Sequence, residues 1–357
     1  MRPLSLLAAA AVVLLISACQ GDERSASEPY AMDAHSHARP EEAVITHLDL
    51  DIHVDFTQRR VSGVASYDID NRNGERIVFD TDGLTIEGVT LDDGSPAEYA
   101  LGDSSFLGRA LTVNITSSTE RVHITYHTGD RSSALQWLSP QQTADREQPF
   151  LFTQGEAILA RTWVPVQDSP GIRFTYNATV HVPSDLMAVM SAANPQAKTA
   201  DGVYHFQMDQ PIPAYLIALA VGDLTFEATG SRTGVYAERS VVHKAAWEFA
   251  DMDRMLEVAE GLYGPYRWER YDVIVLPPSF PFGGMENPRL TFATPTIIAG
   301  DRSLAALIAH EMAHSWSGNL VTNATWDDFW LNEGFTVYFE NRICEAIYGK
   351  DYAAMLQ

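Results

Sequence analysis

Between positions 44 and about 224, apolar and polar residues alternate in short runs: Leu48-Asp-Leu-Asp-Ile-His-Val-Asp-Phe56, Val61-Ser-Gly-Val-Ala-Ser-Tyr67, Leu111-Thr-Val-Asn-Ile115 and Val122-His-Ile-Thr-Tyr126. Period-two alternation punctuated by Asp-Gly, Asn-Gly and Pro predicts half-buried strands of a sandwich or saddle-shaped sheet. Beyond about 225 the period changes. Ala245, Phe249, Met252, Leu256, Ala259 and Tyr263 recur every three or four positions and predict one helix over 245–263 with a core-facing stripe. A strand is predicted at 271–276, after which Pro277, Pro278 and Pro281 force an irregular approach to Gly283-Gly-Met-Glu-Asn-Pro288. Ala305, Ala306, Leu307, Ile308 and Ala309 then lead into a helix, with Gly318 where its stop should be. Thr325, with Asp328 three residues on, predicts a capping box that opens a second helix. Cys344 falls in the apolar pattern of that helix as a core filler. A chain of 357 residues that is 46% hydrophobic suits two domains, here 41–224 and 225–357.

On the first of those two helices His310 and His314 stand four positions apart, so both imidazoles leave one face and can grip a single metal ion. Zinc suits two neutral nitrogens. Glu333, with eighteen residues between it and His314, can supply the third ligand while water keeps the fourth position. Glu311, one step round the helix, is read as the base that takes a proton from the attacking water. Adjacent Gly283 and Gly284 let a backbone come close to a ligand, with Glu286 in the same bend; a tight turn between strands fits equally well. The stretch 152–170 breaks the strand alternation and places Gln154, Glu156, Arg161, Gln167 and Asp168 among turn residues. Loops of that kind carry binding groups, although its composition alone suits a solvated loop.

Asp and Glu outnumber Lys and Arg 47 to 24, a formal charge of −23, which argues against nucleic acid because phosphate contacts need cations. The chain opens as an export signal does, with Arg2, an apolar run at 4–16 and small residues before Cys19. That run is too short for a stable membrane span. Ile16-Ser-Ala-Cys19 resembles the lipobox of bacterial lipoproteins. The resemblance implies removal of 1–18, lipid on the Cys19 sulfur and anchorage to a membrane of the bacterial envelope, the outer one by virtue of Gln20. Losing Arg2 takes the charge from −23 to −24. Removing Cys19 from the count leaves Cys344 alone, and one thiol forms no internal disulfide. Positions 19–40, poor in large apolar residues, predict a flexible tether with His35 and His37 solvated.

Gly283-Gly-Met-Glu-Asn, His310-Glu-Met-Ala-His and Glu333 together resemble the aminopeptidase N superfamily of gluzincin zinc peptidases, particularly its leukotriene-A(4) hydrolase and aminopeptidase B branch. Pro278-Ser-Phe-Pro, Asn319-Leu-Val-Thr-Asn, Trp330-Leu-Asn-Glu-Gly and Gln167-Asp-Ser-Pro extend the likeness over most of the chain. It implies an all-β N-terminal saddle or sandwich domain followed by a thermolysin-like α+β zinc-peptidase domain. One zinc ion per chain would lie on His310, His314 and Glu333, with Glu311 as general base. Glu286 would anchor the free α-amine of a peptide, with Glu156 as second carboxylate, and Gly283, Gly284 and Met285 would line the substrate backbone. Gln154 and Phe282 are candidates for the first side-chain pocket. The activity implied is removal of N-terminal residues from peptides. A reading from another class is a lipoprotein that captures peptides in the same cleft without cleaving them. The family also places an oxyanion-binding tyrosine well downstream of the third ligand and a helical C-terminal domain over the cleft. Tyr338, Tyr348 and Tyr352 lie too near Glu333 for that tyrosine, and the chain reads as cut short 24 residues after Glu333, so the catalytic domain is expected to be incomplete.

Overall fold

The computed structural model describes residues 30–356 apart from Asn73 and Arg131. The expected signal at 1–18 and Cys19 lie outside the described residues. Alternation at the start of the described chain produces two long antiparallel strands, Ala43–Asp55 and Arg60–Asn71. Leu48, Leu50, Ile52 and Val54 are buried, while Asp51 and His53 between them face solvent. The first strand also pairs in parallel with Arg173–His181. Six strands thereby form one sheet in the order Val203–Pro213, Arg173–His181, Ala43–Asp55, Arg60–Asn71, Arg121–His127, Thr85–Leu91. A three-stranded sheet (Arg76–Thr81, Arg109–Asn114, Tyr99–Leu101) and a four-stranded one (Met187–Met190, Leu219–Gly222, Phe150–Thr153, Leu135–Leu138) share an apolar core with it.

A five-stranded sheet follows, in the order Leu224–Ala228, Thr233–Glu238, Tyr271–Val275, Leu290–Ala293, Gly284–Met285. Its three inner strands run parallel and its edges antiparallel. Tyr271–Val275 is buried throughout, as an inner parallel strand covered on both faces must be. Helices α1 (Arg239–Glu248) and α2 (Met252–Tyr263) make the crossover; α3 (Ala306–Ala313), α4 (Trp330–Tyr348) and α5 (Lys350–Leu356) complete the described chain. The architecture is therefore the expected one, an all-β domain followed by an α+β domain, with α3 packed on α4.

Four local expectations are corrected. The single helix over 245–263 is two, broken after Phe249; Phe249 and Met252 are both buried, so the apolar stripe continues round a corner that periodicity does not register. The capping box does not form: Thr325 opens a single 3-10 turn, Trp326–Asp328, and α4 starts at Trp330. The stretch 152–170 is no solvated loop, because Arg161, Gln167 and Asp168 are buried. Arg161 Nε donates to Asp168 Oδ2 at 3.0 Å, and the Gln167 amide donates to the Ala43 and Val78 carbonyls and accepts from Ile45 N.

The fourth correction concerns the tether, which from residue 33 is part of the fold. Asp33, Ser36 and Ala38 are buried. His37 binds Asp80 Oδ1 through both its backbone N–H, at 2.7 Å, and Nδ1, at 2.9 Å, and Ser169 Oγ donates to Asp33 Oδ2 at 2.8 Å. Ser36 and His37 there bind buried Asp80, Asp33 accepts from Ser169, and the His35 carbonyl accepts from Arg161, so these polar residues face protein rather than water, which is why their composition misleads.

Candidate active site

α3 carries His310 and Glu311, and His314 caps its C-terminus. Glu333 occupies the first turn of α4. The two Nε2 atoms lie 3.2 Å apart, with Glu333 Oε2 3.4 Å from His310 Nε2 and Oε1 3.8 Å from His314 Nε2. The far nitrogens are held from outside, His310 Nδ1 by Glu340 Oε2 at 3.0 Å and His314 Nδ1 by the Ser317 carbonyl at 3.1 Å. A proton on each Nδ1 leaves both Nε2 lone pairs turned on one point, beside a carboxylate. Such a donor set repels itself unless a cation lies between, and two imidazoles with one carboxylate suit zinc. Glu286, Glu311 and His314 form an overlapping trio, but one nitrogen with two carboxylates is the poorer zinc set.

Without an ion the two imidazoles differ: acid partners favour the charged form of His310, whose proton a bound cation would have to displace, and burial favours the neutral form of His314. Burial works to lower the pKa of His310, yet hydrogen bonds to Glu333 and Glu340 outweigh it and push it up to about 10. Burial drives His314 down, toward the neutral ligand form. Glu333 is held below the usual carboxylate range by its hydrogen bond with His310. Burial raises Glu311 well above that range; His310 opposes the rise, while Glu286 and Glu333 add to it. A dication beside Glu311 acts against that rise and favours the carboxylate form a base needs.

One cavity of about 810 Å³ is lined by Gln154, Glu156, Phe282, Gly283, Gly284, Met285, Glu286, His310, Glu311, His314 and Glu333, so the fold brings together all the metal, base and substrate residues expected from the sequence. Gly284–Met285 is the edge strand of the five-stranded sheet, and a Cβ on Gly284 would fall 2.2 Å from Glu311 Oε1. Only glycine lets that strand run so close to the base. Glu286 is buried, its carbonyl accepting from Asn319 Nδ2 at 2.6 Å. Gln154 Nε2 meets Met285 Sδ at 3.2 Å. Burial pushes Glu156 up to about 9, and Glu286, Glu333 and Glu311 add to the rise.

Sequence reasoning missed three contributors. Glu340 lies seven positions after Glu333, two turns on along the same face of α4, a spacing that pointed to it. Thr336, whose hydroxyl donates to the Ser317 carbonyl at 2.8 Å and stands 3.2 Å from His314 Nδ1, is one turn from Asn332. His35 lines the cavity from a segment whose sequence carries no signal for it.

Residues 44–216 match the description Peptidase M1 N-terminal domain, and 247–357 match Peptidase family M1 domain. Leukotriene A-4 hydrolase of Xenopus laevis is 46% identical over 333 residues, covering 90% of this chain and 54% of that protein. Leucine aminopeptidase 2 of Yarrowia lipolytica is 42% identical over 337 residues (93% and 50%), and aminopeptidase B of Homo sapiens 46% over 266 (73% and 41%). The native leukotriene A4 hydrolase structure from Saccharomyces cerevisiae superposes with a TM-score of 0.87 at 37% identity, covering 93% of this chain and 53% of that one. The yeast enzyme in complex with bestatin gives 0.86 at 38%, with coverages of 92% and 53%. The chain thus spans about half the length of most of these relatives. Both domains match one family's models, and relatives of that kind align along nine-tenths of the chain, so the chain belongs to the peptidase M1 family.

Proposed function

We propose that this chain provides the zinc-binding and amine-binding machinery of an aminopeptidase that removes N-terminal residues from peptides. The observation that carries the reading is a set of buried acceptors. Gln154 Oε1, Glu156 Oε1 and Glu286 Oε1 meet no donor among the described residues, and all three side chains line the cavity that holds the imidazoles. A buried acceptor left unpaired costs about 1–3 kcal/mol. A peptide's α-ammonium brings three N–H donors and the opposite charge, so it satisfies such a group through charge-assisted hydrogen bonds. A peptide whose amine sits on these carboxylates lies in the same cavity as the imidazoles, which brings its first peptide bond toward the metal ligands.

Bound by His310, His314 and Glu333, one zinc ion supplies Lewis acidity toward a carbonyl oxygen and toward water. Glu311 takes the proton of the attacking water and passes it to the leaving amine. Glu340 and Ser317 hold the imidazoles in place, and the Gly284–Met285 edge lies along the substrate backbone. Hydrolysis of an aminoacyl anilide with and without chelator tests the reading. Metal-dependent release supports it. Metal and peptide binding without turnover in the full-length protein supports the non-catalytic peptide binder instead.

We also propose that lipid on Cys19 tethers the chain to the bacterial cell envelope, the outer membrane being the favoured site. The apolar run at 4–16 and Ile16-Ser-Ala-Cys19 support this, and a multiply acylated cysteine anchors stably. Labelled fatty acid should enter the wild-type protein and not Cys19→Ala; equal labelling of both would overturn it.

A further inference from the structure

The outward face of the six-stranded sheet carries a second group of ligating side chains, remote in kind from the catalytic one. Ala43–Asp55 and Arg173–His181 run parallel, and their register sets His53 directly beside His181. The two rings stack with centroids 4.1 Å apart and planes within 12°. Asp51, two residues before His53 and therefore on the same face, places Oδ1 3.1 Å from His181 Nε2. One ligand atom from each of the three lies within 4.8 Å of the others. We propose that Asp51, His53 and His181 form a surface metal site on the N-terminal sheet that takes one divalent transition ion of the Zn2+ or Cu2+ type.

The surroundings argue for a cation there rather than a solvated pair. Elsewhere on this sheet Arg121 pairs with both Asp49 and Asp68, Arg72 with Asp70, and a single histidine, His127, with Glu87; among the described residues of the sheet, only at Asp51 do two imidazoles converge beside one acid. Around Asp51 the register partners are Val64 and Thr179, and around His53 they are Ser62 and His181. Apart from His181 itself, neither set offers a cation. Arg60 stands opposite Asp55 in the hairpin, so Asp55, though it lines the same shallow cavity as His53 and His181, is not counted as a ligand. Metal–ligand bonds of about 2.0–2.2 Å set donor atoms roughly 3–3.5 Å apart around one ion. The Asp51–His181 distance already meets that spacing; His53 now stacks on His181, so binding requires its exposed ring to leave the stack and turn a nitrogen toward the ion. Imidazole nitrogens select Zn2+, Cu2+ or Ni2+ over Ca2+ and Mg2+, which prefer oxygen. None of the three residues lines the catalytic cavity.

The test is metal stoichiometry on the full-length protein, stripped with chelator and dialysed against buffered Zn2+, for wild type, His53→Ala, His181→Ala and the double variant His310→Ala/His314→Ala. Two ions per chain in the wild type should fall to one in each of the three variants. Anilide hydrolysis should stay at the wild-type level in His53→Ala and His181→Ala. A wild-type protein that binds one ion, lost in His310→Ala/His314→Ala, would overturn the proposal. So would a second ion retained in both sheet variants, or one displaced equally well by Ca2+, which would mark a diffuse acidic surface. Because the sheet side chains point outward, their variants should keep the wild-type melting temperature, and that measurement separates loss of the site from loss of the fold.

Discussion

Buried acids decide the chemistry of this cavity, and each has a measurable consequence. On the proposed role, truncating Glu286 removes one charge-assisted partner of a substrate amine, an interaction of about 1.5–3 kcal/mol, or roughly 10- to 100-fold. Glu286→Ala should therefore lower kcat/KM by that factor for free-amine peptides and leave N-blocked ones little changed; equal losses on both would remove the amine-anchor role. Burial and the neighbouring acids push the Glu156 pKa up to about 9 in the ion-free protein, which favours its protonated form, while a peptide α-amine, at about 8, is still charged at pH 7. On the proposed role, an ammonium docked beside Glu156 lowers its pKa and favours loss of that proton. Calorimetry at pH 7 in buffers of different ionisation enthalpy should show release of up to about one proton per peptide bound, and heats independent of buffer would contradict it. Single residues such as Glu311 were legible because they sit inside a pattern. Arg161 and Asp80 were not, since burial of a charge depends on partners distant in sequence.

Among elements, the α3–α4 pair and the edge strand facing it do the positioning. His310 and His314 were readable because four residues on a helix fix a direction. Glu333 was readable as a carboxylate on a second predicted helix eighteen residues beyond His314, although the turn and bend between Gly318 and Trp330 have no period. Glycines register that packing. Gly318 has φ +117°, and a Cβ there would meet Asn332 Oδ1 at 2.4 Å and His314 Nδ1 at 2.8 Å. At Gly284 the obstruction is Glu311 itself. Gly284→Ala should push the base aside and lower turnover on the order of a hundredfold or more while zinc content holds, because no metal ligand is touched. Turnover at the wild-type level would show that the edge strand does not lie where the geometry places it. The capping box and the single long helix over 245–263 failed for related reasons. A Thr-x-x-Asp pattern fits a 3-10 turn as well as an α-helix, and an apolar stripe survives a corner when Phe249 and Met252 both point into the core.

For the molecule as a whole, strand alternation and the change of period near 225 made the fold class legible, but not how the segment from residue 33 is tied down. Asp33 and His37 clamp onto Ser169 and Asp80, and Arg161 bridges Asp168 at 3.0 Å, Asp80 at 3.7 Å and the His35 carbonyl at 2.8 Å. Arg161→Ala would leave buried Asp168 without its side-chain donor while Asp80 keeps Ser36 and His37, and breaking a buried pair costs about 3–5 kcal/mol. Urea unfolding should show a lower midpoint by that measure, whereas an unchanged midpoint would mean the junction contributes nothing to stability. The most direct test of the central claim measures zinc and anilide hydrolysis together on purified full-length wild type, Glu311→Gln and Glu333→Ala. The predicted result is chelator-sensitive hydrolysis in the wild type, bound zinc with turnover reduced about a hundredfold or more in Glu311→Gln, and joint loss of the catalytic ion and turnover in Glu333→Ala. Hydrolysis that persists through both chelation and Glu333→Ala would contradict the account.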